Sequence, residues 1–282
     1  MKRQPDLTDR TALERNRLRA DRMAEPALFL QEVAASEFQD RLSLVNRTFT
    51  APAIVTGWPS VWANRLSDAR IVADTDTLDL EPGAHDLVIH ALCLHWANDP
   101  VGQLIQCRRA LRPDGFFLAA LFGGQTLVEL RAALAEAEVA ATGGLSPRIA
   151  PMGEIRDLGG LLQRAGFALP VADGMAHDVS YRSAWHLMRD LRAMGEGNAL
   201  AARHRKPARR AMFERAAEIY ATAHAAPDGR IPATFDILYL TGWAPAESQP
   251  KPLRPGSATT RLSDVLGVDE MPLPDTSGQE PD

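Results

Sequence analysis

The sequence predicts an α/β protein, a doubly wound, mostly parallel sheet with helices ahead of it and a mostly helical addition behind. Short, nearly unbroken apolar runs recur at 53–55, 70–73, 86–91 and 116–121, as strands need when both faces of a parallel sheet are covered. Helical patterns at 58–67 and 99–111 fall between them, and such alternation is the mark of a doubly wound sheet. On either side of this block the apolar residues change to helical spacing.

Taken in order, residues 8–47 read as helix. Thr8 or Asp9 can cap its start, and Pro26 should interrupt it, because proline removes a backbone donor and clashes with the preceding turn. Leu28, Phe29, Val33, Phe38, Leu42 and Val45 then recur at helical spacing, a face that should pack on the main domain. Arg15, Arg17, Arg19 and Arg22 read as a solvated face, with a docking surface for an acidic partner as the sharper alternative. Each apolar run that follows ends in a turn signal: Gly57 after the first, Asp74 after the second. Pro113-Asp114-Gly115 leads into the fourth, with proline presetting φ and glycine permitting a positive one. Helices are expected at 125–141, stopped by Gly143-Gly144, at 154–165, ended by Gly166, and at 183–193 and 207–224. Residues 234–240 read as a strand, and 246–258 as a Pro-rich extended segment. The domain plan is an N-terminal helical segment at 1–48, an α/β domain at 49–180, a helical addition with a strand and extended segment at 181–267, and an acidic, disordered tail at 268–282.

Composition narrows the function. The 282 residues are 45% hydrophobic and 24% charged, ordinary for a globular chain with a buried core. Lys and Arg number 31 against 36 Asp and Glu, a net charge of −5, which argues against nucleic acid or an anionic membrane as the main partner. No apolar run approaches the 18 residues or so of a membrane span. The Arg-rich start has no apolar core of a secretory signal, and the cytoplasm is the expected address. The two cysteines, Cys93 and Cys107, cannot build a disulfide framework and suit a reducing compartment. His85, His90 and His95 are five apart and straddle a strand, so no metal site is expected.

The candidate site lies at the strand ends, where open α/β sheets bind ligands. Asp74 stands at such an end, and its carboxylate can accept two hydrogen bonds from ribose hydroxyls; the structural alternative is a loop acid or helix cap. His95 and Trp96 follow the third run, either at a substrate mouth or as core residues.

The segments 72–100 (VADTDTLDLEPGAHDLVIHALCLHWANDP) and 108–134 (RRALRPDGFFLAALFGGQTLVELRAAL) resemble the class I S-adenosylmethionine-dependent methyltransferases. Within them the chain is most similar to the branch holding malonyl-carrier O-methyltransferases and the complex I assembly factors described as arginine hydroxylases. That second likeness continues through 143–152, 157–167, 187–199 and 232–258. The resemblance implies a Rossmann-like methyltransferase fold with S-adenosylmethionine as cofactor. It implies that Asp74 holds the ribose, that the backbone of Thr77 and Leu78 runs beside the adenine, and that Leu92 and His95 line the sulfonium and the substrate mouth. Asp86 matches a residue that marks the fold. The implied functions are methylation of a protein or carrier-bound substrate or, alternatively, a hydroxylase-type or non-catalytic role in assembling respiratory complex I. Arg108, Arg109 and Arg112 could face an acidic carrier.

Two departures stand out. The family's first strand leads into an acidic, Gly-rich loop, roughly DxGxGxG. Here residues 51–66 read APAIVTGWPSVWANRL, with Gly57 alone retained and Trp58 and Pro59 where small residues belong. Trp58 either blocks that space or stacks on a ligand. Gln125 stands where many relatives carry an acid.

Overall fold

The four apolar runs form four neighbouring strands in a computed structural model that describes residues 5–66 and 68–249. They are β1 (Pro52–Thr56), β2 (Arg70–Ala73), β3 (His85–Ala91) and β4 (Leu111–Phe122). Two more strands, β5 (Ala168–Tyr181) and β6 (Ile231–Trp243), complete one six-stranded sheet in the order β2-β1-β3-β4-β6-β5. β1 pairs in parallel with β2 and β3, and β3 with β4, while β6 runs antiparallel to both β4 and β5. The sheet is therefore mostly parallel, with β6 reversed.

Side chains alternate across it. Ile54, Leu87, Ile89 and Leu118 face one layer, built from α2 (Phe29–Leu44), α5 (Val128–Thr142), α7 (Ala184–Ala193) and α8 (Arg210–His224). Val55, Val88, Phe117 and Leu121 face the other, formed by α4 (Pro100–Ala110) and α6 (Ile155–Ala165). All eight residues are buried, and burying a side chain of this size contributes about 1.5–3 kcal/mol. This two-sided burial is why β1, β3 and β4 read as continuous apolar runs.

The N-terminal helix is split as expected. α1 (Arg10–Asp21) ends before Pro26, and of the two cap candidates Asp9 holds the start, its carboxylate accepting from Ala12 N–H at 3.0 Å. The pattern at 58–67 shrinks to the single turn of α3 (Pro59–Trp62). Pro113-Asp114-Gly115 lies within β4, where the register with β3 shifts, and it is Asp114, not Gly115, that takes the positive φ of 61°. Aspartate tolerates that region. Gly115 is needed for space, since a Cβ there would press on the Arg112 carbonyl and on Leu111.

Two further expectations are corrected. The boundary near residue 180 does not separate domains, because β6 runs between β4 and β5 and residues up to Ala246 form one unit. α7 and α8 are inserted between the last two strands, not appended after the sheet. β5 was not expected as a strand. Its pattern of half-exposed residues, with Pro170 at a register shift and Gly174 mid-strand, carries little of the apolar alternation that marks a buried strand. The acidic tail at 268–282, and the Pro-rich segment from residue 250 on, lie outside the described residues. No helix among the described residues is long and apolar enough to cross a membrane.

Candidate functional site

Strand order reverses between β2-β1 and β3-β4, and the carboxyl ends of these strands carry Gly57, Asp74 and Leu92. Leu92 is buried, with a left-handed backbone at φ 45°, a strained conformation for leucine and of a kind that concentrates at functional sites. The strain turns the chain from β3 into a single 3₁₀ turn, Leu94–Trp96. The Leu92 side chain itself belongs to the core, outside both cavities described below.

α1 lies over these tips. Asp9 N–H donates to the Ala199 carbonyl, Ala201 N–H to the Leu7 carbonyl, and Asn16 Nδ2 to the Gly197 carbonyl. Ala12 and Leu13 pack with Trp96, Ala199 and Leu200. Helix α1 and residues 195–201 thus form one roof.

Under α1 is a cavity of about 760 Å³, lined among others by Arg17, Gly57, Trp58, Asp74 and Thr75. Asp74 is buried. Its Oδ1 accepts from Arg17 Nη1 at 2.6 Å and lies 3.3 Å from Arg10 Nη2, while its Oδ2 is buried without a partner among the described residues. Burial pushes the Asp74 carboxyl up, but the Arg17 charge and hydrogen bond outweigh it and hold the group below the usual range. For Arg17, burial works against the charged form, yet Asp74 keeps it firmly protonated, with Glu196 adding to the effect. The missing side chain of Gly57 is filled by Arg17: a Cβ there would collide with the guanidinium.

The loop after β2 is pinned from α4. Gln103 Nε2 donates to the Thr75 carbonyl, and Gln106 both donates to the Asp76 carbonyl and accepts from Leu78 N–H. Gln103 Oε1 in turn pairs with His90 Nε2 at 2.8 Å, and the Cys93 thiol lies 3.4 Å from His90 Nδ1. This arrangement takes Thr77 and Leu78 away from the cavity: Leu78 is buried in the α4–α6 layer, Thr77 is exposed, and Thr75 lines the cavity in their place.

A second cavity, about 290 Å³, opens beyond Trp96 and is lined by Phe122, Met152, Met188, Phe213 and Phe235, with Glu196 at one wall. Glu196 Oε2 accepts from Trp96 Nε1 at 2.7 Å and lies 3.3 Å from His95 Nε2. His95 is buried behind Trp96 against Phe122, so it holds Glu196 and does not face the cavity. Glu196 reaches this point because Gly195, at φ 74°, closes the end of α7 in a turn that a side chain would strain. A Cβ on Gly195 would also press on Trp58 and Arg17. Arg17 and Trp58, which line the first cavity, thus pack on Gly195, whose chain neighbours Met194 and Glu196 line the second.

Glu196 was not singled out from the sequence; its only signal there is the Met-Gly-Glu-Gly turn after a helical pattern. Trp58 lines the first cavity without filling it, because its side chain is buried in the main core. Gln125 donates its N–H to Asp236 Oδ2 at 3.4 Å, so a carboxylate beside this turn comes from β6. Arg108, Arg109 and Arg112 sit at the C-terminal end of α4 and the start of β4, opposite the cavities, which removes them from any substrate mouth. His85, His90 and His95 turn to three different partners, Ala51, Gln103 and Glu196, and no three His, Cys, Asp or Glu among the described residues are grouped to hold a metal ion.

Residues 43–119 match the family model described as a methyltransferase domain. The chain is 40% identical over 201 residues to the zebrafish (Danio rerio) protein named arginine-hydroxylase NDUFAF5, mitochondrial, covering 71% of this chain and 62% of that one. The human protein of that name is 39% identical over 74% of this chain and 60% of its own. A malonyl-[acyl-carrier protein] O-methyltransferase of Xylella fastidiosa (strain M23) is 36% identical over 66% of this chain and 60% of that one. The chain thus spans about three fifths of the length of the curated relatives it matches.

Proposed function

We propose, because the chain belongs to the class I S-adenosylmethionine-dependent methyltransferase superfamily, that it binds S-adenosylmethionine in the Asp74 cavity and acts on a cationic side chain of a protein held in the Glu196 cavity. One observation carries this reading: of two cavities that flank the Gly195 turn, one holds a buried carboxylate oxygen open to a hydroxyl and the other a carboxylate beside aromatic rings. The residues fit the cofactor's nucleoside. Asp74 Oδ2 is a buried acceptor with nothing bonded to it, which a ribose hydroxyl would satisfy. A volume of about 760 Å³ is within the usual range for ligand pockets.

When bound, the cofactor would supply an electrophilic methyl on a sulfonium. The protein's part is then to hold and align its partners, and alignment alone can contribute roughly 7–11 kcal/mol to a barrier. Gln103 and Gln106 fix the Asp74 loop. Trp96 and His95 fix Glu196 through its Oε2, and Glu196 lines the cavity. A guanidinium or ammonium would find there a carboxylate beside Trp96, Phe122, Phe213 and Phe235, on a lining that also holds Arg192 and Arg148, the latter already paired with Glu138. The name of the animal relatives, arginine hydroxylase, supports a guanidinium.

Calorimetric titration with S-adenosylhomocysteine tests the first half: binding is expected, weakened roughly tenfold or more in Asp74→Asn. No heat at millimolar ligand would sink it. Mass spectrometry of arginine, lysine and neutral peptides incubated with protein and cofactor tests the second.

A second reading is favoured by the two arginines already on Asp74 Oδ1. In it the fold is a scaffold in the assembly of a respiratory complex, as the relatives suggest, and the Asp74 pair is structural. Asp74→Ala would then leave partner capture intact, whereas the first reading requires it to abolish function in cells.

A further inference from the structure

The end of α5, the loop that follows it and the start of α8 line a groove of about 920 Å³. Lys206, Arg209 and Arg215 stand exposed along it, with His204 beside them. Arg215 lies 3.3 Å from Glu218, but Lys206 and Arg209 have no ion pair among the described residues. The one acid on the described lining, Glu138, is already spent. It accepts from the Ser146 N–H and hydroxyl, and from Arg148 Nε at 3.1 Å and Nη2 at 2.6 Å. A chain of net charge −5 thus gathers unopposed positive charge on this face. Arg148 lines the second cavity as well, and its guanidinium carbon lies 5.8 Å from the ring centroid of Phe213, which lines that cavity too. Groove and cavity therefore meet at one side chain.

We propose that the groove holds an acidic, extended stretch of the protein substrate, next to the cationic side chain that enters the Glu196 cavity. The proposal rests on the reading of that cavity and extends it to the sequence around the target. A cationic side chain alone is repelled by this face. Acids beside it turn the repulsion into attraction, so the groove selects one arginine or lysine over another by its neighbours. A peptide suits the lining better than a nucleic acid does. No aromatic ring is on the described lining, so bases would have nothing to stack on. Ala137, Ala141, Ala208 and Ala211 leave room for a backbone, and Leu145, two-thirds exposed, offers it an apolar contact.

Fluorescence anisotropy on the full chain tests this with a short peptide that carries one arginine beside a run of aspartates. Its twin has asparagines in their place. At low salt the aspartate peptide should bind roughly tenfold tighter or more, an advantage that shrinks as salt rises. Lys206→Gln combined with Arg209→Gln should cut the advantage by about threefold or more and leave the melting temperature unchanged, since both side chains are exposed. No advantage in the wild type, or one that survives the double change, would overturn the proposal. Tighter binding of oligothymidylate than of the aspartate peptide would overturn it in favour of nucleic acid. Glu196→Gln keeps the two readings apart, because it should weaken the arginine peptide and spare a version with alanine for arginine. If it spares both while the double change still weakens both, the cavity reading falls and the groove stands as a site for acidic peptide.

Discussion

His90 couples the site to pH. It is fully buried, and burial pushes its imidazole down from 6.5 to about 4, with the Gln103 hydrogen bond and Asp74 pulling the other way. Between those values the unfolded chain holds a proton that the folded one does not. Stability should therefore be intact above pH 6.5 and fall as pH drops towards 4, by roughly 3 kcal/mol over the full window. Urea melts at pH 7 and 4.5 should show the fall, and His90→Asn should flatten it; an unchanged slope would refute the assignment. Single residues also show what could be read without coordinates. Asp74 was legible as a candidate because it directly follows the second apolar run, at the strand end where open α/β sheets bind ligands. Glu196 was not, since its role depends on Trp96, 100 positions away, donating to it. Arg17 read as one of a row of solvated arginines, and only the empty side-chain position at Gly57 explains why it alone turns inward.

At the level of elements, α1 is the roof, and the Asp9 carboxylate anchors it, capping Ala12 and pairing with Arg203 at 2.9 Å and Arg205 at 3.4 Å. Asp9→Ala should cost about 1–2 kcal/mol, with hydrogen exchange rising first in 10–21. Protection unchanged there would show that packing on Trp96 and Leu200 suffices. The turn after α7 is the other fixed point. Gly195→Ala, which forces a side chain into positive φ and against Trp58, should destabilise by roughly 1–2 kcal/mol. It should also weaken any ligand of either cavity, because Arg17 and Trp58 on one side and Glu196 on the other must shift; a stability loss with both affinities unchanged would separate the turn from the site. The central strands were readable because burial on both faces writes itself as an apolar run. β5 was not, since an edge strand needs backbone partners more than apolar side chains, and that partner, β6, lies some 50 residues further along the chain.

Across the whole molecule, the sheet is closed by its last strand. β6 supplies the pairing for seven residues of β4 and for most of β5, and it places Asp236 and Phe235 beside the Gly123–Leu127 turn and the second cavity. A chain ending at residue 230 should show no cooperative thermal transition, whereas Val171→Thr on the exposed edge of β5 should change the melting temperature by little. The order of synthesis follows from this. β4 and β5 leave the ribosome well before β6, and until it arrives each presents an open strand flank in the crowded cell. Such flanks invite pairing with other chains. The interval in which the 50 or so residues between β5 and β6 are being translated is when a holding chaperone would matter most, and when slow codons there would lower the yield of soluble protein.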